Sequence, residues 1–202
     1  MAARELQIHG PTLTLRYPRD DDAPALLELA RDAEVTRWFS WGPYTDVEQP
    51  RGYIARQARR RAEGVQLDLV IVHREHGPAG ITGLSEFSLR DRRAMVGTWL
   101  GRRWWGSGVN REAKALVFHL AFERCGLVRV GAYSDVANAR SRTALSKVGL
   151  LHEGVLRSWH RHGEEHKDVN IHGVLRDDWL ASDLHAVPVR VDGSVPELFV
   201  AR

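Results

Sequence analysis

One stretch stands out for its reactive and anion-binding side chains, Arg103-Trp104-Trp105-Gly106-Ser107-Gly108-Val109-Asn110-Arg111-Glu112-Ala113. After it, Ala113, Leu116, Val117, Leu120 and Ala121 recur at helical spacing. A helix starting there leaves its first backbone N–H groups without intrahelical acceptors, pointing forward with the positive end of the helix dipole. That arrangement suits an anion, phosphate above all. Gly106 and Gly108 let the backbone approach a phosphate closely, and Arg103 and Arg111 could add charge-assisted contacts. The same two glycines would equally serve an ordinary turn. No Gly-Lys-Ser/Thr follows, so the stretch is not a Walker loop, and Arg111 occupies the third-glycine position of the dinucleotide pattern GxGxxG.

Elements must position this stretch. Alternation at Leu13-Thr14-Leu15-Arg16 predicts a strand. Asp20-Asp21-Asp22 ahead of Pro24 start a helix carrying Leu26, Leu27, Leu29 and Ala30. An aromatic turn with Trp38, Trp41, Pro43 and Tyr44 leads to a second helix over residues 47–63, whose Arg59-Arg60-Arg61 run reads as a solvated face. Strands are predicted over 67–72, 80–89 and 94–100, with a turn at Gly77-Pro78. The helix after Gly108 runs to Gly126, and 128–133 is strand-like. Residues 138–148 form a short helix with Asn138 as N-cap and Gly149 past its end. Residues 154–162 and 166–175 make a hairpin turning at Gly163-Glu164. Hairpin-linked strands mixed with crossover helices predict an α/β (α+β) fold: one mixed sheet with helices on its faces. The tail after Trp179, with Val187-Pro188-Val189-Arg190-Val191, fits an extra strand, an arm that would make a homodimer, or a disordered end.

Composition bounds the rest. At 202 residues the chain is most simply one domain with a real core. The formal net charge is +3, well short of a nucleic-acid binder's excess. Of the cations only Lys114, Lys147 and Lys167 are lysines; the arginine excess fits codon bias as well as any function. The single Cys125 excludes an intramolecular disulfide framework and fits a reducing compartment. It falls among apolar residues and reads as a small buried hydrophobe. No apolar run reaches the ~18 residues that span a bilayer, and Met1-Ala2-Ala3-Arg4-Glu5 places charge where a secretion leader is apolar. The expectation is a cytoplasmic protein with neither a membrane nor a nucleic-acid partner. His160, His162, His166 and His172 fall on the terminal hairpin, without the cysteine or helical His pair that would argue for a metal, so no metal is expected.

Arg103-x-x-Gly106-x-Gly108, continued by Glu112-Ala113, resembles the Gln/Arg-x-x-Gly-x-Gly/Ala signature of the GNAT superfamily of acetyl-CoA-dependent N-acetyltransferases. Asn138-Ala139-Arg140-Ser141, Leu145-Ser146-Lys147-Val148-Gly149, Glu153-Gly154 and Asp178-Trp179 resemble later blocks of its ribosomal-protein (RimJ/RimL-like) branch. The likeness runs from about Leu13 to Trp179, which makes residues 1–180 a GNAT domain and 181–202 a C-terminal extension. Asn110-Arg111, Leu150 and Met95 depart from the branch, which has small or hydroxyl residues, phenylalanine and often an acid there.

The resemblance implies a mostly antiparallel sheet in which strands 94–100 and 128–133 run parallel and splay to hold acetyl-CoA. The cofactor-binding expectation is Trp99, Leu100, the loop Arg103, Trp104, Trp105, Gly106, Ser107 and Gly108, and Val109, Asn110 and Arg111 at the helix start. Free backbone groups near Trp99 and Leu100 would pair with the pantetheine arm like an added strand. Asn138 and Ser141 would lie near the thiol, and Arg140, Arg142 and Lys147 either meet the nucleotide end or are solvated. The implied reaction is direct attack of a primary amine on the thioester, the acceptor being a protein N-terminus, an amino acid or a small amine such as an antibiotic. The catalytic expectation is Ser141 and Asn138 with Glu86 as base through water. Alternation puts Leu84 and Glu86 on one face of their strand and Ser85 and Phe87 on the other. Asp135 is the second candidate base. Trp38, Trp41 and Trp159 line an acceptor pocket or belong to the core. The alternative function is a non-catalytic CoA-binding regulatory module.

Overall fold

Period-two patterning produces most of the strands, and their register joins them into one sheet. The computed structural model describes residues 5–201; Met1–Arg4, whose charge entered the argument about a leader, lie outside the described residues. The strands are β1 (Gln7–His9), β2 (Leu13–Arg16), β3 (Gln66–His73), β4 (Gly77–Ser88), β5 (Arg93–Leu100), β6 (Arg129–Asp135), β7 (Leu151–His162), β8 (Glu165–Leu175) and β9 (Arg190–Asp192). The α-helices are α1 (Ala23–Ala30), α2 (Ala33–Thr36), α3 (Glu48–Ala62), α4 (Val109–His119), α5 (Ala139–Ser146) and α6 (Arg176–Leu180). The sheet order is β7-β8-β6-β5-β4-β3-β2-β1-β9. Its pairs are antiparallel except β5–β6. Among the described residues no helix is long and apolar enough to cross a membrane.

The parallel pair is short. It joins Arg93 to Arg129, Ala94 to Val130 and Met95 to Gly131, then ends. Beyond that point β5 keeps β4 as far as Leu100 opposite Gly80, and β6 keeps β8 as far as Asp135 opposite Val169. Each strand holds its outer neighbour, so the parting opens a wedge inside the sheet.

One face packs on α4, where Leu84, Val96 and Leu100 join Ala113, Leu116 and Val117 in the larger core. The other packs on α1 and α3, where Ala23, Leu26 and Ile54 meet Val70 and Ile81. The α4 segment reaches Gly126 as its periodicity predicts, but its last turn widens: Cys125 N donates to Leu120 O at 2.9 Å in a π-type turn over Leu120–Arg124. Leu120, Ala121 and Phe122 are all buried in it. The tail returns to the body, with β9 pairing with β1 and the buried Phe199 packing on Phe87 at 4.8 Å between centroids. The strand-like piece over residues 187–191 contributes to β9, an extra strand, whereas β1, with three residues, carries too little alternation to be read from the sequence.

Glu112 ties the helix to the sheet. Its carboxylate accepts from Thr12 N (2.8 Å), Thr12 Oγ1 (2.6 Å) and Leu13 N (2.8 Å), which holds the first turn of α4 against the start of β2. Glu112→Ala strands two backbone donors and is expected to lower stability by about 2 kcal/mol, read as a lower midpoint in urea unfolding.

Candidate active site

The wedge between β5 and β6 is a cleft of about 750 Å³. Residues 96–100 form one wall and residues 132–135 the other. The β5–α4 loop lies at one end. Trp105 Nε1 donates to Leu100 O at 3.0 Å, so that carbonyl, expected to be free for a ligand, is already engaged. Ser107 Oγ donates to Trp104 O at 2.7 Å and accepts from Val109 N at 3.4 Å. Gly108, at φ 91°, is the left-handed N-cap of α4. A Cβ would be strained in that conformation. The backbone N–H groups of Asn110 and Arg111 have no backbone acceptor and stand at the cleft.

Trp99, Leu100, Trp104, Trp105, Gly106, Gly108, Asn110, Arg111, Asn138, Ser141 and Lys147 all line this cleft. The buried Val109 packs in the core. Arg103 turns away, with its guanidinium 4.9 Å from the Trp104 ring centroid and a bond of 3.4 Å to His76 O. Arg142 is held by Val136 O at 2.7 Å. Arg140 lies 3.3 Å over the Trp105 ring and faces the cleft. The cavity also presents two buried polar atoms without partners, Trp104 Nε1 and Ser134 Oγ. Free helix N–H groups, cations and unpartnered donors fit a long, polar, phosphate-bearing ligand such as CoA.

Asn138 caps α5, its Oδ1 accepting from Ser141 N at 3.0 Å, and its capping role and its place in the cleft coincide. Glu86 departs from the expected alternation. Ser85 pairs with Met95 and Ser88 with Arg93, so Glu86 and Phe87 together face Ala94 in a bulge, with Glu86 at φ 50°. Phe87 therefore joins Leu84 in the core beside α4. Glu86 meets Tyr133 instead, whose hydroxyl donates to Glu86 Oε2 at 3.1 Å. Tyr133, not Glu86, lines the cleft, and its ring sits 5.0 Å from that of His160. Burial, then Glu86, pushes the Tyr133 hydroxyl up, while burial pushes His160 down. Asp135 also lines the cleft, and its Oδ1 accepts from Ala137 N at 2.8 Å.

Of the three tryptophans, Trp38 lines the cleft, Trp41 lines a neighbouring cavity, and Trp159 is 51% exposed on β7. Among the described residues no group of three His, Cys, Asp or Glu could hold a metal. The buried Cys125 thiol is pushed up to about 12 by burial, consistent with a packed apolar role.

Tyr133 and Lys114 are cleft residues that sequence reasoning missed. Lys114 is fully buried, and its Nζ donates to Thr98 Oγ1, which shares a hydrogen bond of 2.7 Å with Thr82 Oγ1. Its position was readable from periodicity, since the apolar Val117, Phe118 and Ala121 stand three, four and seven residues further on. Burial pushes the ammonium down to about 7 from an ordinary 10.5. The unfolded chain therefore binds the extra proton between those values, and this group makes stability rise with pH across that interval. Lys114→Met is expected to abolish that rise, which a difference between wild-type and variant urea midpoints from pH 7 to pH 10 would read out.

The acetyltransferase (GNAT) domain model matches residues 12–151. The uncharacterised N-acetyltransferase p20 of Bacillus licheniformis is 29% identical over 173 residues, covering 85% of this chain and 97% of p20. The uncharacterised N-acetyltransferase YoaA of Bacillus subtilis is 28% identical over 165 residues, 81% of this chain and 93% of YoaA. Among solved structures, Mycobacterium smegmatis RimJ in complex with CoA-disulfide shares the fold, with a TM-score of 0.77, 20% identity and 91% of each chain covered. The chain belongs to the GNAT family of acetyltransferases.

Proposed function

We propose that the chain is an N-acetyltransferase that takes acetyl-CoA in the β5–β6 cleft and passes the acetyl group to a primary amine on a protein N-terminus, an amino acid or a small molecule. The observation that carries this reading is the loss of the β5–β6 pairing after Met95, beside a helix start with two free N–H groups. The RimJ structure holds CoA-disulfide, and the related fold of the microcin C7 self-immunity acetyltransferase MccE holds acetyl-CoA and AMP, which supports a CoA ligand here. Bound there, acetyl-CoA supplies a thioester carbonyl to which the amine nitrogen bonds as the carbon–sulfur bond breaks, the thiolate leaving with a proton.

The chain's own residues divide the work. The Asn110 and Arg111 N–H groups, with the side chains of Arg111, Arg140 and Lys147, take up phosphate charge. Gly106, Ser107 and Gly108 shape that loop, and Val109 anchors it in the core. Trp104 and Trp105 wall the cleft, with Arg103 bracing Trp104 from outside and Arg142 bracing the turn before α5. The β6-facing backbone of β5 up to Trp99 pairs with an extended ligand arm as an added strand would, the Leu100 carbonyl being held by Trp105 Nε1. Asn138 holds the start of α5, and the Ser141 hydroxyl donates to the departing sulfur. Glu86 receives the amine proton through Tyr133 or water, since Tyr133 stands between it and the cleft.

The test is release of free thiol from acetyl-CoA against a panel of amines and N-terminal peptides. Ser141→Ala is expected to lower kcat about 100-fold with the KM for acetyl-CoA little changed. Arg140→Ala is expected to raise that KM with kcat retained. CoA binding without transfer to any amine would overturn the enzyme reading in favour of a CoA-binding regulatory module.

A further inference from the structure

A second cavity, about 560 Å³, lies on the sheet face covered by α1 and α3. It shares Phe39, Gly97, Thr98 and Trp99 with the cleft, so the two meet at β5. Asp68 of β3 lines it, with only 8% of its surface exposed. Its carboxylate accepts from the Tyr53 hydroxyl at 2.7 Å and from Gln66 Nε2 at 2.8 Å, and both donors are neutral. Burial pushes the Asp68 carboxyl above its ordinary range. Gln57, 5% exposed, lines the same cavity, and its Oε1 has no hydrogen-bond partner. Burying a carboxylate whose direct donors are all neutral, beside an unpartnered amide oxygen, is costly unless a donor-rich group joins them.

The walls suit such a group. Trp41 packs at 5.2 Å from Phe39, 5.2 Å from Tyr44 and 5.6 Å from Trp99, so the cavity is rimmed by aromatic rings whose faces attract cations. Arg56 and Arg60 line the exposed α3 side, and the Arg60 charge pulls the Asp68 carboxyl down less than burial raises it.

The floor is bare backbone. Asp68 is opposite Gly83, and Gly83 is opposite Gly97, in one row across three strands. A Cβ at Gly83 would stand 2.2 Å from Asp68 Oδ1, whereas one at Gly97 would meet nothing within 4 Å. At adjacent-strand spacing the row spans about 10 Å from Asp68 to the free edge of β5, roughly the reach of an aliphatic chain with nitrogen at both ends.

We propose that this second cavity is the acceptor pocket and that it selects an amine carrying a second protonated nitrogen, held by Asp68 and Gln57, with its chain over Gly83 and Gly97 and its reacting amine at the β5 edge. The inference rests on the N-acetyltransferase reading for which amine reacts, but binding tests it separately. Calorimetry compares 1,6-diaminohexane with 1-aminohexane on the wild-type chain and on Asp68→Asn, with thiol release from acetyl-CoA measured in parallel. The wild type should bind the diamine about tenfold more tightly or better, and Asp68→Asn should bring it to the monoamine level. The kcat/KM for the diamine should fall in step while that for the monoamine holds. Equal wild-type binding of the two amines overturns the proposal and needs no variant; so does an equal loss for both in Asp68→Asn. Gln57→Leu, which removes the second acceptor, should weaken the diamine alone; an equal effect on both amines would count against the pocket. Asp68-dependent diamine binding without acetyl transfer to the diamine would overturn the pocket's role as acceptor site, while transfer to any other amine of the panel would leave the enzyme reading standing.

Discussion

The structure depends on a parallel strand pair that is not allowed to finish. Three residue pairs join β5 to β6, and then each strand follows its other neighbour. Backbone groups of β5 past Met95 lose their ladder on one side. In a dry core such groups would be strongly unfavourable, so they must face water or an extended partner. A ladder left open at mid-sheet is therefore both the weakest place in the fold and its best place to bind a chain-like ligand.

The surroundings hold this opening in place. The Glu112 carboxylate gathers three donors from the start of β2 and fixes the first turn of α4 against the sheet. With the helix so placed, its free N–H groups point into the end of the wedge. Asn138 does the same at the other wall, where its cap bond to Ser141 N sets where α5 begins. The chemistry rests on helix ends and strand edges, whose unsatisfied groups are positioned by secondary structure itself.

Buried polar groups gather from both faces at the level where the sheet opens. On the α4 side, Lys114 meets Thr98 and Thr82. On the α1–α3 side, Asp68 meets Tyr53 and Gln66, and the bare Gly83–Gly97 row leads from it to β5. Neither Lys114 nor Asp68 helps a core cohere, and each is driven toward its neutral form by burial. Polar groups retained at such a cost concentrate where a protein needs function more than stability.

What depends on near neighbours was legible along the chain. Gly108, Asn138, Gly126 and Gly149 mark helix ends because caps need φ > 0 or a short polar side chain within three residues. Alternation marked the strands, and the motif around Gly106 and Gly108 located the helix start that faces the cleft. What depends on register across strands emerged with the folded sheet alone. The bulge at Glu86 reversed a two-residue alternation and sent its carboxylate to Tyr133, because two residues there oppose one on β5. Arg103 turned outward because the Trp104 ring and His76 carbonyl compete for it. Lys114, Tyr133 and Asp68 reach the two cavities from three different elements, and no spacing along the chain records that they meet. Local rules act over a turn or a pleat; a strand's partner, and the residue at which it leaves that partner, are set by packing between segments distant in the chain.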